Sequence, residues 1–340
     1  MLKLRRGVVV SEDPLEVEVS GERRRAWADV SLVGEVRDGD EVVVNTEAVD
    51  LGLGSGGFDV VHVNLTRGLD GPGASGQHVM KLNYTSLQHP VEPVERSDEE
   101  VGEEEEAASV PVLVVPLHGH LAPAAWAAQQ LSAGLRVGYV QTGGGALPGS
   151  LSRDAAELRE RGLLYGHVTA GPAYGGEHEA VSIAGALDAA AHRLGWQAAI
   201  VGAGPGILGS ATRYGHGGMA VLDAAHAALA LGMPTLLCPR LSGADPRPRH
   251  RTVSHHTQTV LELLLGGVEV PVPEDEGEVA AALDRLLGGR HSLRAQVADL
   301  DGYAASGLPA RTMGRDLEED RLFFAAPLAA GRGLAARARG

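Results

Sequence analysis

One cysteine, Cys238, is all that the 340 residues contain. No disulfide can close within the chain, and neither a CxxC redox pair nor a cysteine-based zinc site is available. Cys238 lies in the apolar run PTLLCPRL and is expected to be a small core residue. Aromatic residues are scarce, at 4%, and no basic stripe runs along the sequence. Recognition of nucleic acid needs base-stacking rings or a cationic track, so no nucleic-acid partner is expected. No apolar run approaches the roughly 20 residues of a membrane span, and the start MLKLRRGVVV lacks the apolar centre of a signal peptide. The expectation is a cytoplasmic protein with no membrane partner. Two catalytic signatures are also missing. There is no GxxxxGK[ST] phosphate loop and no GxSxG nucleophile elbow. In the loop after the AAIV run the dinucleotide pattern GxGxxG fails in its third place, where Gly202 and Gly204 are followed by Ile207.

Glycine, by contrast, is abundant, with 47 residues, and much of the apolar content is Ala, Val and Leu. That mixture suits close packing of helices on a sheet. The net charge of −15 is unevenly spread: residues 92–106, EPVERSDEEVGEEEE, carry nine carboxylates against Arg96 alone. Such a block repels itself, so residues 92–109 read as a solvated acidic linker or loop.

Before that block, short Val-rich runs (GVVV, LEVEV, DEVVVN, VVHVNL, MKLNY) alternate with turn signals such as SEDP and RDGD. Residues 1–91 therefore read as a small β-barrel or sandwich domain. After it, an apolar run, a Gly-rich loop and a helical segment recur five times, with runs PVLVVPL, RVGYVQ, HVTA, AAIV and PTLLCPRL. Alternation of this kind specifies a mostly parallel sheet with helices on both faces. The fold class is thus α/β, Rossmann-like, preceded by a small all-β N-terminal domain. The α/β domain spans residues 110–330. Residues 331–340, the Arg-bearing GRGLAARARG, read as a flexible tail.

Parallel sheets bind ligands at the carboxyl ends of their strands, so the five Gly-rich loops mark the expected site. Two of them suit an anion, because successive glycines let backbone N–H groups point into one concavity ahead of a helix N-terminus. These are TGGGALPGS, with Thr142, Gly143, Gly144 and Gly145, and GAGPGILGS, with Gly202, Gly204, Pro205 and Gly206. The titratable candidates are His118 and His120 in an HxH after the first run, Glu177 at the start of the third helical segment, His216 in the fourth loop, and Asp245, His250, His255 and His256 in or after the fifth. An HxH at a strand end can place two imidazoles on one divalent metal, which makes His118 and His120 a metal reading. Ser254 has the chemistry of an N-cap. The helix then starts at His255, and His256 aligns with Val260 and Leu264 on the apolar stripe, with His255 beside it. A helix N-terminus disfavours imidazolium, so both are expected neutral near pH 7.

The segments NTEAVDLGLGSGG, GQHVMKLNYTSLQ, VGAGPGILGSATRYG, DPRPRHRTVSHHT and TMGRDLEEDRLFFAAPLAAG resemble an uncharacterised bacterial family, the domain-of-unknown-function family 3866. The resemblance covers nearly the whole chain and implies that both domains form one unit, with no reaction to carry over. It adds weight to Gly204, Pro205, Gly206, Arg249, His250, Ser254, His255 and His256, which lie inside those motifs. The functional expectation is an enzyme, a hydrolase or transferase, on a small anionic metabolite, phosphorylated or nucleotide-like. The Gly-rich loops and Arg249 or Arg251 would hold the anion, while His255, His256 or His118 does acid–base work and Asp245 orients a histidine. Two alternatives stand beside it: a metabolite-sensing module, and a metal-dependent hydrolase on His118 and His120. A homo-oligomer is the base-rate expectation.

Overall fold

The structure, a computed structural model, describes residues 1–53, 56–71, 73–95 and 110–339. It divides into two compact units, Met1–Val91 and Glu92–Gly340. Most of the acidic block, residues 96–109, lies outside the described residues.

The first unit is built on β1 (Leu4–Glu12), β2 (Leu15–Val19), β3 (Glu22–Trp27), β4 (Glu41–Asn45) and β5 (Asp59–Asn64), closed into a barrel in the order β1-β2-β3-β5-β4. Closure removes the exposed edges that short strands otherwise leave. Alternate residues point inward, so Val9, Val17, Val19, Val42, Val44 and Val61 fill the interior. Two short helices, α1 (Val30–Val33) and α2 (Glu47–Asp50), connect the strands, and β6 (Val79–Lys81) pairs with β7 (His89–Val91). At one end the buried Asp40 receives the Arg67 guanidinium at 2.7 Å and the Asn64 amide at 2.8 Å. The Arg67 hydrogen bonds hold its carboxyl down to about 2.

The second unit is one eight-stranded sheet. Its strands are β8 (Val112–Val115), β9 (Val137–Thr142), β10 (Gly166–Ala170), β11 (His178–Ala180), β12 (Ala198–Ala203), β13 (Thr235–Leu237), β16 (Glu269–Pro273) and β17 (Ser292–Gln296). A separate two-stranded ribbon, β14 (Leu241–Ser242) with β15 (Thr252–Val253), lies between β13 and β16 in the chain. The sheet order is β11-β10-β9-β12-β8-β13-β16-β17, and every neighbouring pair is parallel. Parallel strands are covered on both faces. Against one face lie α3 (Leu121–Leu131), α4 (Arg153–Glu160), α9 (Leu300–Ala305) and α10 (Arg321–Ala338); against the other lie α5 (Ile183–His192), α6 (Ala220–Ala230), α7 (His255–Leu263) and α8 (Gly277–Leu287).

Several sequence expectations need correction here. Residues 331–338 are not a flexible tail but the second half of α10, buried from Gly333 to Ala335. Its small residues serve packing: a Cβ on Gly331 would lie 2.0 Å from the Ala124 carbonyl of α3. Glu177, His178 and Glu179 do not open a helix. His178–Ala180 is the edge strand β11, and the helix starts only at Ile183, capped by Ser182. The acidic linker does not begin at 92, because Val94 bonds to the Glu179 carbonyl at 2.8 Å and Glu95 accepts from the Val181 and Ser182 amides. The sheet also has three strands more than the five repeats showed.

Connections diverge at two places in the sheet: at β9–β12, where β9 runs to β10 and β12 to β13 but the two following loops pack on each other, and at β8–β13. The connection that leaves β8 runs to β9 on one side, whereas the one that leaves its neighbour β13 runs to β16 on the other. Adjacent strands whose connections diverge open a crevice at their carboxyl ends.

Candidate functional site

The chain that leaves β13 at this crevice carries Arg240, then the ribbon, then a 3-10 turn over Pro248–His250, and returns to α7. Ser254 caps α7: its Oγ accepts from the His256 amide at 3.2 Å and shares a 2.7 Å hydrogen bond with His250 Nδ1. One cap residue thereby fixes two histidines. His256 is buried and His255 half-buried, as their different positions on the helix require. The long loop after β12 brings in His216, whose ring stacks on His256 at 3.5 Å between centroids. His250 lies 4.8 Å from His256 and 4.9 Å from His255, which completes a cluster of four imidazoles.

All four are held below the ordinary histidine range, first by burial. His256 is pushed down to about 2, with His216 and Arg240 as further causes, and His250 to about 3, with Arg240 and Arg247. His216 and His255 shift in the same direction. The cluster is therefore neutral at pH 7.

Arg240 is the residue that sequence reasoning missed. It is buried, donates to His256 Nδ1 at 3.1 Å, and reaches the Asp245 carboxylate at 3.3 Å. Its position after an apolar strand made it read as strand end; the available signal was a cation directly at a carboxyl edge. Burial lowers its guanidinium to about 10. Asp245, fully buried, does not orient a histidine directly. Arg247 grips it with two bonds of 2.8 and 2.9 Å, Arg240 takes a third, and the histidine is reached only through Arg240. Arg249 is exposed at the rim, 3.4 Å from His250 Nε2, and Arg251 is spent on the Asp245 carbonyl.

Other expected site residues lie elsewhere. The ring nitrogens of His118 contact Ser152 Oγ at 2.9 Å and the Tyr139 hydroxyl at 3.4 Å, with Asp154 at 3.9 Å. His120 packs on Phe323, with Nδ1 3.5 Å from Cys238 Sγ. The two rings of the HxH have separate surroundings and do not form a metal pair. Among the described residues the group able to hold a metal is instead His216, His255 and His256, whose ligand atoms lie within 4.8 Å of one another. Glu177 pairs with Arg159 at 2.7 Å and lines a cavity of about 620 Å³ with Trp196 and Tyr165, beside the amino ends of β9 and β10.

The Gly-rich loops serve one another. A Cβ on Gly217 would lie 1.8 Å from the Gly144 carbonyl, one on Gly145 would lie 2.2 Å from the Gly204 carbonyl, and one on Gly204 would lie 2.3 Å from the Ala146 carbonyl. The loops after β9 and β12 thus meet backbone to backbone, joined by the Ala146 amide on the Pro205 carbonyl at 2.7 Å. The Thr142 hydroxyl is turned onto the Gly143 carbonyl, and Gly202 is a strand residue pressed on Val115. Gly143 faces Pro172, and Gly206 takes a left-handed φ of +76° in open space.

A family model described as a protein of unknown function (DUF3866) matches residues 25–331. The chain belongs to this family. No curated protein and no solved structure matches it. In this DUF3866 chain no helix among the described residues is long and apolar enough to cross a membrane.

Proposed function

We propose that the chain is an enzyme, a hydrolase or transferase, acting on a small anionic metabolite, phosphorylated or nucleotide-like, at the β8–β13 crevice. The observation that carries this reading is a shortage of negative charge. Between Arg240 and Arg251 the chain has four arginines against Asp245 alone, in a protein whose net charge is −15. A buried guanidinium, three buried imidazoles and the half-buried His255, all four rings pressed below their ordinary range, gain from an anion that supplies the missing counter-charge.

Such an anion also prepares the chemistry. Bound beside Arg240 and Arg249, it favours the imidazolium forms and lifts the histidines' titration back toward neutral pH, where acid–base catalysis works best. His255, the more open ring, then takes the proton from water or an acceptor hydroxyl. His256, held by Arg240, supports the developing charge, and His250 returns a proton to the leaving group. The backbone-to-backbone packing of the two Gly-rich loops supports the reading differently, as a rigid wall rather than an anion cradle.

The test is a thermal-shift screen against nucleotides, sugar phosphates and carboxylates, run beside turnover assays of each stabilising compound. A ligand at a hundred times its Kd adds about 2.7 kcal/mol of stability. At least one class is expected to stabilise the parent protein, and to do so less in Arg249→Ala. Stabilisation by none of them would overturn the proposal, and binding without turnover would identify a metabolite-sensing module instead.

A further inference from the structure

We infer that His216, His255 and His256 form a transition-metal site, with zinc as the best-suited ion, at the mouth of the β8–β13 crevice. Three observations converge on it. First, His216 is over nine-tenths buried, and its Nε2 bonds to the Arg213 carbonyl at 3.1 Å. A carbonyl can only accept, so Nε2 carries the proton and Nδ1 presents a lone pair. That Nδ1 is buried with no partner, as is Nε2 of His255. A ligand histidine typically donates its second nitrogen to a carbonyl in this way. Second, the ligand atoms of the three rings already lie within 4.8 Å of one another. Zinc bonds of 2.0–2.1 Å place tetrahedral ligands roughly 3.3 Å apart, so closure needs ring rotations and no refolding. Third, the space beside them is kept clear by Gly218, where a Cβ would sit 3.0 Å from His216 Nδ1 and 3.3 Å from His256 Nδ1.

The donor set selects the metal. Three imidazoles without a carboxylate suit zinc and its neighbours rather than magnesium or calcium, and they leave a fourth position for water. Two existing contacts have to yield: the His216–His256 stack, whose near-parallel rings must rotate before both can aim in-plane lone pairs at one ion, and the Arg240 bond to His256 Nδ1, which ligation by either nitrogen of His256 ends. Arg240 retains Asp245. The freed guanidinium and the cation then face the same anion, while His255 and His256 become ligands, so the acid–base roles given to them above belong to the metal-free protein; only this coupling rests on the proposed function.

The test uses tag-free full-length protein stripped with a chelator, titrated with zinc and separately with cobalt, without any metabolite. The expected result is one zinc per chain by calorimetry, a raised melting temperature, and the visible absorption of low-symmetry cobalt. His216→Gln and His255→Gln are each expected to weaken zinc at least tenfold while retaining the far-UV circular dichroism of the parent. Gly218→Ala removes no ligand and is expected to weaken zinc as well, which guards against a histidine variant that fails to fold. Absence of stoichiometric zinc, or binding unchanged in His216→Gln and Gly218→Ala, would overturn the site. Anion stabilisation measured in the stripped protein is a separate readout, so loss of the metal site and loss of the enzymatic reading are told apart.

Discussion

Replacing His120 by leucine should leave the protein as stable as before at pH 7 and make it less sensitive to acid. The residue is fully buried, its ring 4.7 Å from that of Phe323, and its Nε2 has no hydrogen-bond partner. Its Nδ1 has only a 3.5 Å contact with the Cys238 sulfur, a weak acceptor and donor. Removing a polar group that is buried and half-satisfied costs little and can stabilise. Burial holds the folded imidazole down to about 3 against an ordinary 6.5. The folded state therefore binds fewer protons than the unfolded chain below pH 6.5. Stability is fully present above that value and falls as pH drops toward 3, by about 1.4 kcal/mol per pH unit. Integrated from pH 7 to pH 5, the loss from this one group is about 2 kcal/mol. Urea unfolding at both pH values measures it. The parent is expected to lose about 2 kcal/mol more than His120→Leu over that interval, while acid effects from His167 and the site histidines are common to both proteins and cancel. Equal losses would refute the reasoning, and a strongly destabilised variant at pH 7 would show that His120 is bound to something the core placement excludes.

The packing of α10 on α3 is tested by Gly331→Ala, whose Cβ would meet the Ala124 carbonyl at 2.0 Å. Overpacking of this kind is expected to cost about 1–3 kcal/mol, read as a lower urea midpoint with unchanged slope. Arg240→Met is expected to cost about 2–3 kcal/mol, near the lower limit for breaking a buried ion pair, because Arg247 keeps its two bonds to Asp245. The same variant should abolish any stabilisation by anions, and a retained thermal shift would place the anion elsewhere.

The repeats of strand, Gly-rich loop and helix are legible because parallel strands buried on both faces read as unbroken apolar runs. The strands that escape are those where another pressure governs composition. β16 reads EVPVP, and prolines argue against an inner strand. It tolerates them because β13 pairs with it only at Leu236–Glu269, so Pro271 and Pro273 owe that neighbour no amide. β17 is an exposed edge of mixed polarity, and β11 is three residues long. Within the site, the group from Asp245 to His256 is readable since the residues are close in sequence and one serine caps the helix. Arg240 is not, because a buried cation is indistinguishable from a solvated one until its partners Asp245 and His256 are seen. Glycine misled in the other direction. Its clusters at 143–145 and 202–206 look like an anion cradle from spacing, whereas the carbonyls facing Gly144, Gly145, Gly204 and Gly217 show that two loops need room to touch.

The central claim is that ligands enter at the β8–β13 crevice. A crystal structure with the most stabilising anion from the thermal screen tests it directly. The expected result is density within hydrogen-bonding distance of Arg240 or Arg249 and of at least one of His250, His255 and His256. Density instead in the cavity lined by Trp196, Tyr165 and Glu177 would contradict it.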